Sequence, residues 1–264
     1  MKLAAAYPTP QHEQAAGKIV QYFTGQPGIS AVLLICSCAR GKASADSCLD
    51  IAVLVSPDTF THQRPALEQA WESFYQDETV FKQLLRVGKF SHVDLEFFDG
   101  HFSPAGYPHD YTSGPDEFEL AVGNLLAYSV PLWTGDDTYV ALKQRWLPYY
   151  EEDLRLERLA MVQQFFTNNL DHIPLFVKRG LYFQAFQRLY HAFGEFLQGL
   201  FISRRVYPIA YDKWVQEQVE EILELPGLYA ELPQLLEILQ FESEEIAQKA
   251  ARLSGLWAEN ISIA

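Results

Sequence analysis

Apolar positions in about the first 112 residues follow two different periods. Apolar residues at every fourth position after the helix-start pair Thr9-Pro10 predict a helix, and short continuous apolar runs predict buried strands. The predicted elements are a helix from Thr9-Pro10, strands over 31–35, 49–55 and 92–98, a helix over 63–86 and a connector over 99–114. This alternation is typical of a small domain built around a sheet.

The rest of the chain shows helical spacing and no convincing strand. Helices are predicted over 115–130, 151–170, 180–203, 212–224 and 243–259. The clearest apolar stripe comprises Phe186, Leu189, Phe193, Phe196, Leu197 and Leu200. The pattern therefore predicts an α+β chain, with a small mixed-sheet domain over 1–112, a helical bundle over 113–264 and a functional cleft between them.

Composition limits the class of protein. The chain has 264 residues, of which 48% are hydrophobic, so it is long and apolar enough to form packed cores. Its formal net charge of −14 argues against nucleic acids and anionic membranes as partners, because both require a basic surface. A single bound nucleotide remains compatible with this charge, since a metal ion can offset its phosphates.

No apolar run approaches ~20 residues, so no membrane span is expected. Three cysteines, an odd number, argue against a disulfide framework and favour a reducing, cytoplasmic location. Cys36, Cys38 and Cys48 could form a zinc site, but a structural site needs a fourth ligand and none is evident. Small buried thiols that fill a core are the favoured interpretation.

Residues that could carry chemistry lie around the predicted strands. Ser37 belongs to a turn of small residues whose hydroxyl and backbone amides could cradle a phosphate, and Asp50 lies near the start of the next strand. Asp94 and Glu96 are two positions apart on the third strand and therefore share a face, although that face could also be the solvated side of an edge strand. If the strands are neighbours, we expect the carboxylates to lie roughly 4–6 Å apart, as shared Mg²⁺ coordination requires.

Two short segments resemble a known signature. Cys36-Ser37-x-Ala39-Arg40-Gly41 followed by Asp46-Ser47-x-x-Asp50-Ile51 is similar to Gly-Ser-x-Ala-Arg-Gly and Asp-Ser-Asp-hydrophobic-Asp. That signature belongs to the DNA polymerase β-like nucleotidyltransferases, and the bacterial aminoglycoside and lincosamide nucleotidyltransferases are the nearest members. The resemblance implies an enzyme that moves a nucleoside monophosphate from a nucleoside triphosphate to a hydroxyl of a small molecule, with Mg²⁺.

The resemblance also implies roles for individual residues. Ser37 would contact the triphosphate, assisted by the backbone of Cys38, while Asp50 and Asp94 would hold Mg²⁺. Glu96 corresponds to the general base of aminoglycoside-type members, although Asp94 and Glu96 could exchange these two jobs. Two cations, Arg40 of the motif and Lys213 in the helical part, are further candidates for phosphate binding.

Two departures from the signature give a second hypothesis. Cys48 stands where the family has its first catalytic aspartate, and Cys36 stands where it has glycine. A thiol is a poor ligand for Mg²⁺, and a side chain at the glycine position obstructs close approach of backbone to phosphate. The alternative is therefore a catalytically degenerate descendant that binds a nucleotide or another small ligand without turnover.

The predicted bundle carries two polar groups of residues at helical spacing. The first comprises Gln184, Arg188, His191, Glu195 and Gln198, and the second comprises Glu217, Glu220, Glu221 and Glu224. The first could touch a ligand and the second could attract a cationic acceptor. Solvated faces of amphipathic helices are the favoured interpretation of both.

Overall fold

A computed structural model describes residues 3–102, 112 and 119–262 of the chain. These residues divide into two compact units. The first takes Met1–Ser103 and Ala121–Leu147, and the second takes Pro104–Leu120 and Pro148–Ala264. This division differs from the predicted boundary at residue 112, because residues 121–147 belong to the first unit. The predicted functional cleft between the units stays a prediction.

The first unit is built on a four-stranded mixed sheet. Its elements in chain order are α1 (Pro10–Phe23), β1 (Ile29–Leu34), α2 (Cys36–Ala39), β2 (Leu49–Val55), α3 (Pro57–Asp77), α4 (Thr79–Leu84), β3 (Val93–Phe98), a π-helical turn (Glu119–Gly123) that leads into α5 (Asn124–Tyr128), β4 (Val130–Thr134) and α6 (Thr138–Trp146). The strand order is β3-β2-β1-β4, with β2 parallel to β3 and the other two pairs antiparallel. The turn Glu119–Gly123 bridges the two units, since its first two residues belong to the second.

The centre of the sheet is strongly apolar, which fixes its register. Every residue of β1 is buried, and Asp50 is the one position of β2 that is not. Ala15, Ile19 and Phe23, the predicted stripe of α1, are all buried in the core beside these strands. Burial on this scale stabilises each large side chain by roughly 1.5–3 kcal/mol, so the carboxylate of Asp50 is carried by a rigid element.

A strand within Val130–Thr134 corrects the prediction that no strand follows residue 112. This strand, β4, lies at an edge of the sheet and pairs with β1 alone. Pro131 lacks a backbone N–H, and the register shifts between Val32 and Leu33 where β1 runs beside it. Proline inside a run argues against a strand in sequence analysis but is tolerated at a sheet edge, which explains the error.

The second unit is helical. Besides Glu119 and Leu120 of the first π-helical turn, it contains α7 (Glu152–Lys178), α8 (Tyr182–Arg204), α9 (Val215–Glu217) with a second π-helical turn (Gln218–Ile222), α10 (Pro226–Tyr229), α11 (Leu232–Leu236) and α12 (Glu245–Asn260). The predicted stripe of α8 packs in the core, where Leu189, Phe196 and Leu200 are fully buried. The predicted helix over 212–224 is shorter and irregular, and the predicted helix start at Pro115 lies outside the described residues.

The α+β fold class is confirmed by the mixed sheet and the helices that surround or follow it. Among the described residues, no helix combines the length and the hydropathy that a bilayer crossing requires.

Candidate functional site

Two carboxylates meet at the beginning of β2 and β3. Asp50 lies directly beside Asp94 in the parallel register, so their side chains share one face of the sheet. One ligand atom from each of Asp50, Asp94 and Cys48 lies within 4.8 Å of the other two. The expected convergence of the carboxylates is therefore confirmed, while their role as metal ligands stays a prediction.

The Cys48 thiol completes this group, which we call the thiol–carboxylate cluster (Cys48, Asp50 and Asp94). Its Sγ donates to both carboxylate oxygens of Asp50, at 3.3 Å to Oδ1 and 3.4 Å to Oδ2. Burial, and then the charge and hydrogen bonding of Asp50, raise the pKa of the Cys48 thiol to about 12. The thiol is therefore neutral at pH 7 and adds no negative charge to the cluster.

Glu96 lies on the same face of β3, two residues beyond Asp94 and opposite Ala52. Its pKa is raised above the ordinary value, chiefly by desolvation and then by the Asp50 charge, while Arg64 opposes the shift. The geometry groups Asp94, rather than Glu96, with Cys48 and Asp50 as potential metal ligands.

His92 is a member of this region that sequence analysis missed. Its Nε2 lies 3.2 Å from Oδ1 of Asp94, and the two side chains are 40% and 59% exposed. The available signal was the spacing of two residues, since positions i and i+2 of an extended segment share a face. A histidine that contacts a carboxylate can orient it toward a metal ion.

The turn proposed to cradle phosphate follows the end of β1, which lies beside the start of β2. The backbone N–H of Ile35 donates to the carbonyl oxygen of Asp50 at 3.1 Å, which ties the start of α2 to β2. Cys36 is exposed and has a φ of +54°, a left-handed conformation that glycine adopts most readily. The position therefore has a backbone geometry that favours glycine and bears the cost of a side chain.

Ser37 is half-buried in this turn, and its carbonyl oxygen accepts from Lys42 N at 2.9 Å. Cys38 and Arg40 are both buried, so their side chains are largely withdrawn from solvent. Burial, followed by the Asp50 charge, raises the pKa of the Cys38 thiol to about 11. A phosphate at this turn would therefore meet Ser37 and backbone amides before it met the guanidinium of Arg40.

Two other polar residues, Asp46 and Lys213, are not members of the thiol–carboxylate cluster. Asp46 lies in an exposed turn, where its Oδ1 accepts from Lys89 N at 3.2 Å. Lys213 belongs to the second unit and is exposed, and its carbonyl oxygen accepts from Gln218 Nε2 at 2.7 Å. Its predicted contact with phosphate stays a prediction.

The three cysteines do not gather around a common point among the described residues. Cys36 is exposed, Cys38 is fully buried and Cys48 is half-buried. The prediction of buried core thiols is confirmed for Cys38 and wrong for Cys36. The metal-compatible group at this site is the thiol–carboxylate cluster instead.

The solvated-face interpretation of the polar residues on α8 is wrong for three of the five, whereas Gln184 is exposed. Arg188, Glu195 and Gln198 are at most 4% exposed. Arg188 donates to Asn169 Oδ1 at 2.9 Å, and Gln198 accepts from Arg158 at 2.6 Å. Both side chains therefore have hydrogen-bond partners inside the second unit, which a helical spacing of polar residues cannot reveal.

The second polar group is also partly buried, since Glu217 is 7% exposed while Glu221 and Glu224 face solvent. A cavity of about 470 Å³ lies near these helices. Its lining belongs to the second unit and comprises Thr112, Tyr190, His191, Phe193, Gly194, Gln198, Tyr211, Asp212, Val215, Tyr229, Leu232, Pro233 and Leu236.

The donors at the thiol–carboxylate cluster fit Mg²⁺ in part. Mg²⁺ is commonly held by one or two carboxylates together with substrate phosphates, and Asp50 and Asp94 supply that minimum. The neutral thiol of Cys48 supplies no hard oxygen ligand. A magnesium ion at this site would therefore take its remaining ligands from water and from phosphate oxygens.

No protein-family model matches the chain, and no curated protein matches it. Among solved structures, the chain is similar to the crystal structure of a nucleotidyltransferase-like protein from Exiguobacterium sibiricum 255-15. The identity is 13%, the match covers 94% of this chain and 74% of that chain, and the TM-score is 0.48. An identity this low carries no information about individual site residues.

Proposed function

We propose that the protein is nucleotidyltransferase-like: it binds a nucleoside triphosphate with a divalent cation and transfers the nucleoside monophosphate to a hydroxyl of a small molecule. The observation that carries this proposal is the convergence of Asp50 and Asp94 beside a turn of small residues. Ile35 connects the two features through its hydrogen bond to Asp50. The signature shared with aminoglycoside and lincosamide nucleotidyltransferases favours a hydroxylated small molecule as the acceptor.

Each side chain has a defined part in this proposal. Asp50 and Asp94 would hold the cation, which offsets the charge of the triphosphate when bound. Ser37 and the neighbouring amides would bind phosphate oxygens. Glu96 would accept the proton of the acceptor hydroxyl, a role that suits a carboxylate whose pKa is shifted upward toward the working pH.

A second candidate function is binding without turnover, and Cys48 is the observation that favours it. The neutral thiol removes one negative charge and one oxygen ligand from the position of the first catalytic aspartate. Such a protein would keep the affinity for a nucleotide and lose the rate of transfer. Binding and transfer therefore have to be measured separately.

Calorimetric titration of a nucleoside triphosphate, with and without Mg²⁺, tests the shared part of both candidates. We expect Mg²⁺-dependent binding that Asp50→Asn weakens by at least about fivefold, because a close charge interaction of ~1–4 kcal/mol is lost. Ser37→Ala should weaken binding without lowering the melting temperature. Asp77→Asn, which neutralises an exposed aspartate at the end of α3, should bind as the unmodified chain does.

Transfer of a radiolabelled nucleoside monophosphate to hydroxylated acceptors then separates the two candidates. Transfer that Glu96→Gln abolishes, with triphosphate binding retained, supports the enzyme. Mg²⁺-dependent binding without transfer to any acceptor supports the non-catalytic protein. Failure of every triphosphate to bind, or equal binding by the unmodified chain and Asp50→Asn, would contradict both.

A further inference from the structure

The thiol–carboxylate cluster presents a mixed set of donors to a metal ion. Cys48 offers a sulfur, while Asp50 and Asp94 offer oxygens, all within 4.8 Å of one another. Mg²⁺ binds oxygen ligands and gains nothing from the sulfur. Zn²⁺ accepts sulfur and carboxylate oxygen together, so the chemistry of the complete set matches a softer cation than the one the resemblance implies.

The spacing of these donors also suits zinc. A tetrahedral ion with Zn–S of about 2.3 Å and Zn–O of about 2.1 Å holds sulfur and oxygen ligands about 3.6 Å apart. Sγ of Cys48 lies 3.3 and 3.4 Å from the two carboxylate oxygens of Asp50. Cys48 and Asp50 are therefore already separated by about one edge of a zinc coordination tetrahedron.

His92 supplies the supporting contact that metal-binding carboxylates usually have. Its Nε2 lies 3.2 Å from Oδ1 of Asp94, which leaves the other oxygen of that carboxylate for an ion. Three protein ligands are the usual number at zinc sites that keep a fourth position open. That position would accept water or an oxygen of a bound ligand.

We propose that Cys48, Asp50 and Asp94 form a three-ligand site for a thiophilic divalent cation of the zinc class, supported by His92. On binding, the S–H bond of Cys48 breaks, its proton leaves to solvent and an S–Zn bond forms, so no electron is transferred and no oxidant is needed. Two carboxylates and one thiolate then surround the dication. This inference goes beyond the proposed function, because it requires neither a nucleotide nor transfer.

Titration of the reduced full-length chain with Co²⁺, a spectroscopic substitute for Zn²⁺, tests the site directly. We expect a near-ultraviolet thiolate-to-cobalt charge-transfer band that saturates at one Co²⁺ per chain. Stoichiometric Zn²⁺ should abolish the band, whereas a large excess of Mg²⁺ should leave it in place. Absence of the band in the unmodified chain, or its displacement by Mg²⁺, would overturn the proposal.

Variants assign the ligands. Cys48→Ser should eliminate the band and weaken Zn²⁺ binding by at least about tenfold, because the soft ligand is lost. Cys36→Ser, which alters the exposed neighbouring thiol, should retain it. Asp94→Asn should retain a band with weaker Co²⁺ affinity, and His92→Gln should weaken affinity by about tenfold or more through loss of its support. A band that survives Cys48→Ser, or that disappears in Cys36→Ser, would contradict the assignment.

The result is separable from the proposed function. Mg²⁺-dependent triphosphate binding without a cobalt–thiolate band defeats the zinc inference alone. A cobalt–thiolate band that requires Cys48, without triphosphate binding, supports the zinc site and defeats the nucleotide proposal. If Cys48→Ser unfolds, as judged by circular dichroism, the comparison of Asp94→Asn with Asp77→Asn decides: equal Co²⁺ affinities overturn the site.

Discussion

Cys48 determines the charge of the candidate site. Its Sγ donates to Asp50, and its raised pKa keeps it neutral, so Asp50 and Asp94 form a charged pair with a thiol beside it. An aspartate in its place would bring three like charges together. The three charges repel one another without a cation, and they attract a cation more strongly than two charges do.

The substitution Cys48→Asp tests this account. We expect the affinity for Mg²⁺, measured by calorimetry in the presence of a nucleoside triphosphate, to rise several-fold. The physical reason is that one added charge at close range contributes at least ~1 kcal/mol even under strong screening. Without divalent cations the same variant should melt at a lower temperature than the unmodified chain, because the third carboxylate is not neutralised.

Ser73→Asp is the matched control for this prediction, since it adds the same charge at an exposed position of α3 outside the cluster. It should give no gain in Mg²⁺ affinity. A fall in affinity in Cys48→Asp, or equal gains in both variants, would show that Cys48 does not occupy a cation-binding position. Higher transfer activity in Cys48→Asp than in the unmodified chain would favour the non-catalytic candidate for the natural sequence.

Sequence predicted some site residues and missed others for identifiable reasons. Asp50 and Asp94 could be found because a motif or strand periodicity marks them, and the register of β2 and β3 then brings them together. The contact of His92 with Asp94 is marked by a spacing of two residues alone, which places both on one face but does not identify a contact between them. The burial of Arg40 and Glu195 depends on neighbours distant in the chain, which one sequence does not identify.

At the scale of elements, prediction succeeded where one local signal dominated. The prediction of β2 over 49–55 agrees with the observed strand, because seven successive residues carry a nearly continuous apolar pattern. The start of α1 also agrees with its Thr9-Pro10 signal. By contrast, α3 begins at Pro57, after the cap Ser56, and continues through Pro65, so its predicted start at residue 63 was late. Ser56 followed by Pro57 is a helix-start signal, and apolar periodicity does not contain that signal.

The N-cap of α1 provides a prediction at this scale. Thr9 Oγ1 accepts from the backbone N–H of His12 and lies 2.8 Å from His12 Nδ1, while His12 Nε2 contacts the carbonyl oxygen of Ser47 at 2.9 Å. Thr9→Ala should lower the free energy of unfolding by about 1 kcal/mol, because a capping acceptor and the support of a buried histidine are lost. Urea denaturation measures this change.

Thr61→Ala is the corresponding control. Thr61 is exposed within α3 and donates to the carbonyl oxygen of Pro57, so its replacement should change the free energy of unfolding by no more than about 0.5 kcal/mol. A loss in Thr9→Ala no larger than in Thr61→Ala would show that the cap does not stabilise α1. The cap matters to the site because Ser47 immediately precedes Cys48.

At the scale of the whole molecule, the compact units do not follow the order of the chain, because a later segment belongs to the first unit. Residues 121–147 return to the first unit, where β4 pairs with β1 across about 100 positions of sequence. Local patterns predicted helices and central strands but could not assign this later segment to the earlier sheet. Each unit nevertheless has its own apolar core, as the hydrophobic content of the chain suggested.

The net charge of −14 leads to a prediction about how a nucleotide approaches the protein. A triphosphate remains anionic with one Mg²⁺ bound, so the overall field of the protein repels it. Salt screens that repulsion, since the Debye length falls from about 30 Å at 0.01 M to about 8 Å at 0.15 M. The association rate of a fluorescent Mg²⁺–triphosphate analogue, measured by stopped flow, should therefore rise several-fold between these salt concentrations. The corresponding uncharged nucleoside should associate at a rate that does not depend on salt. A decrease in the triphosphate rate with salt would mean that a local cationic surface around the site outweighs the net charge.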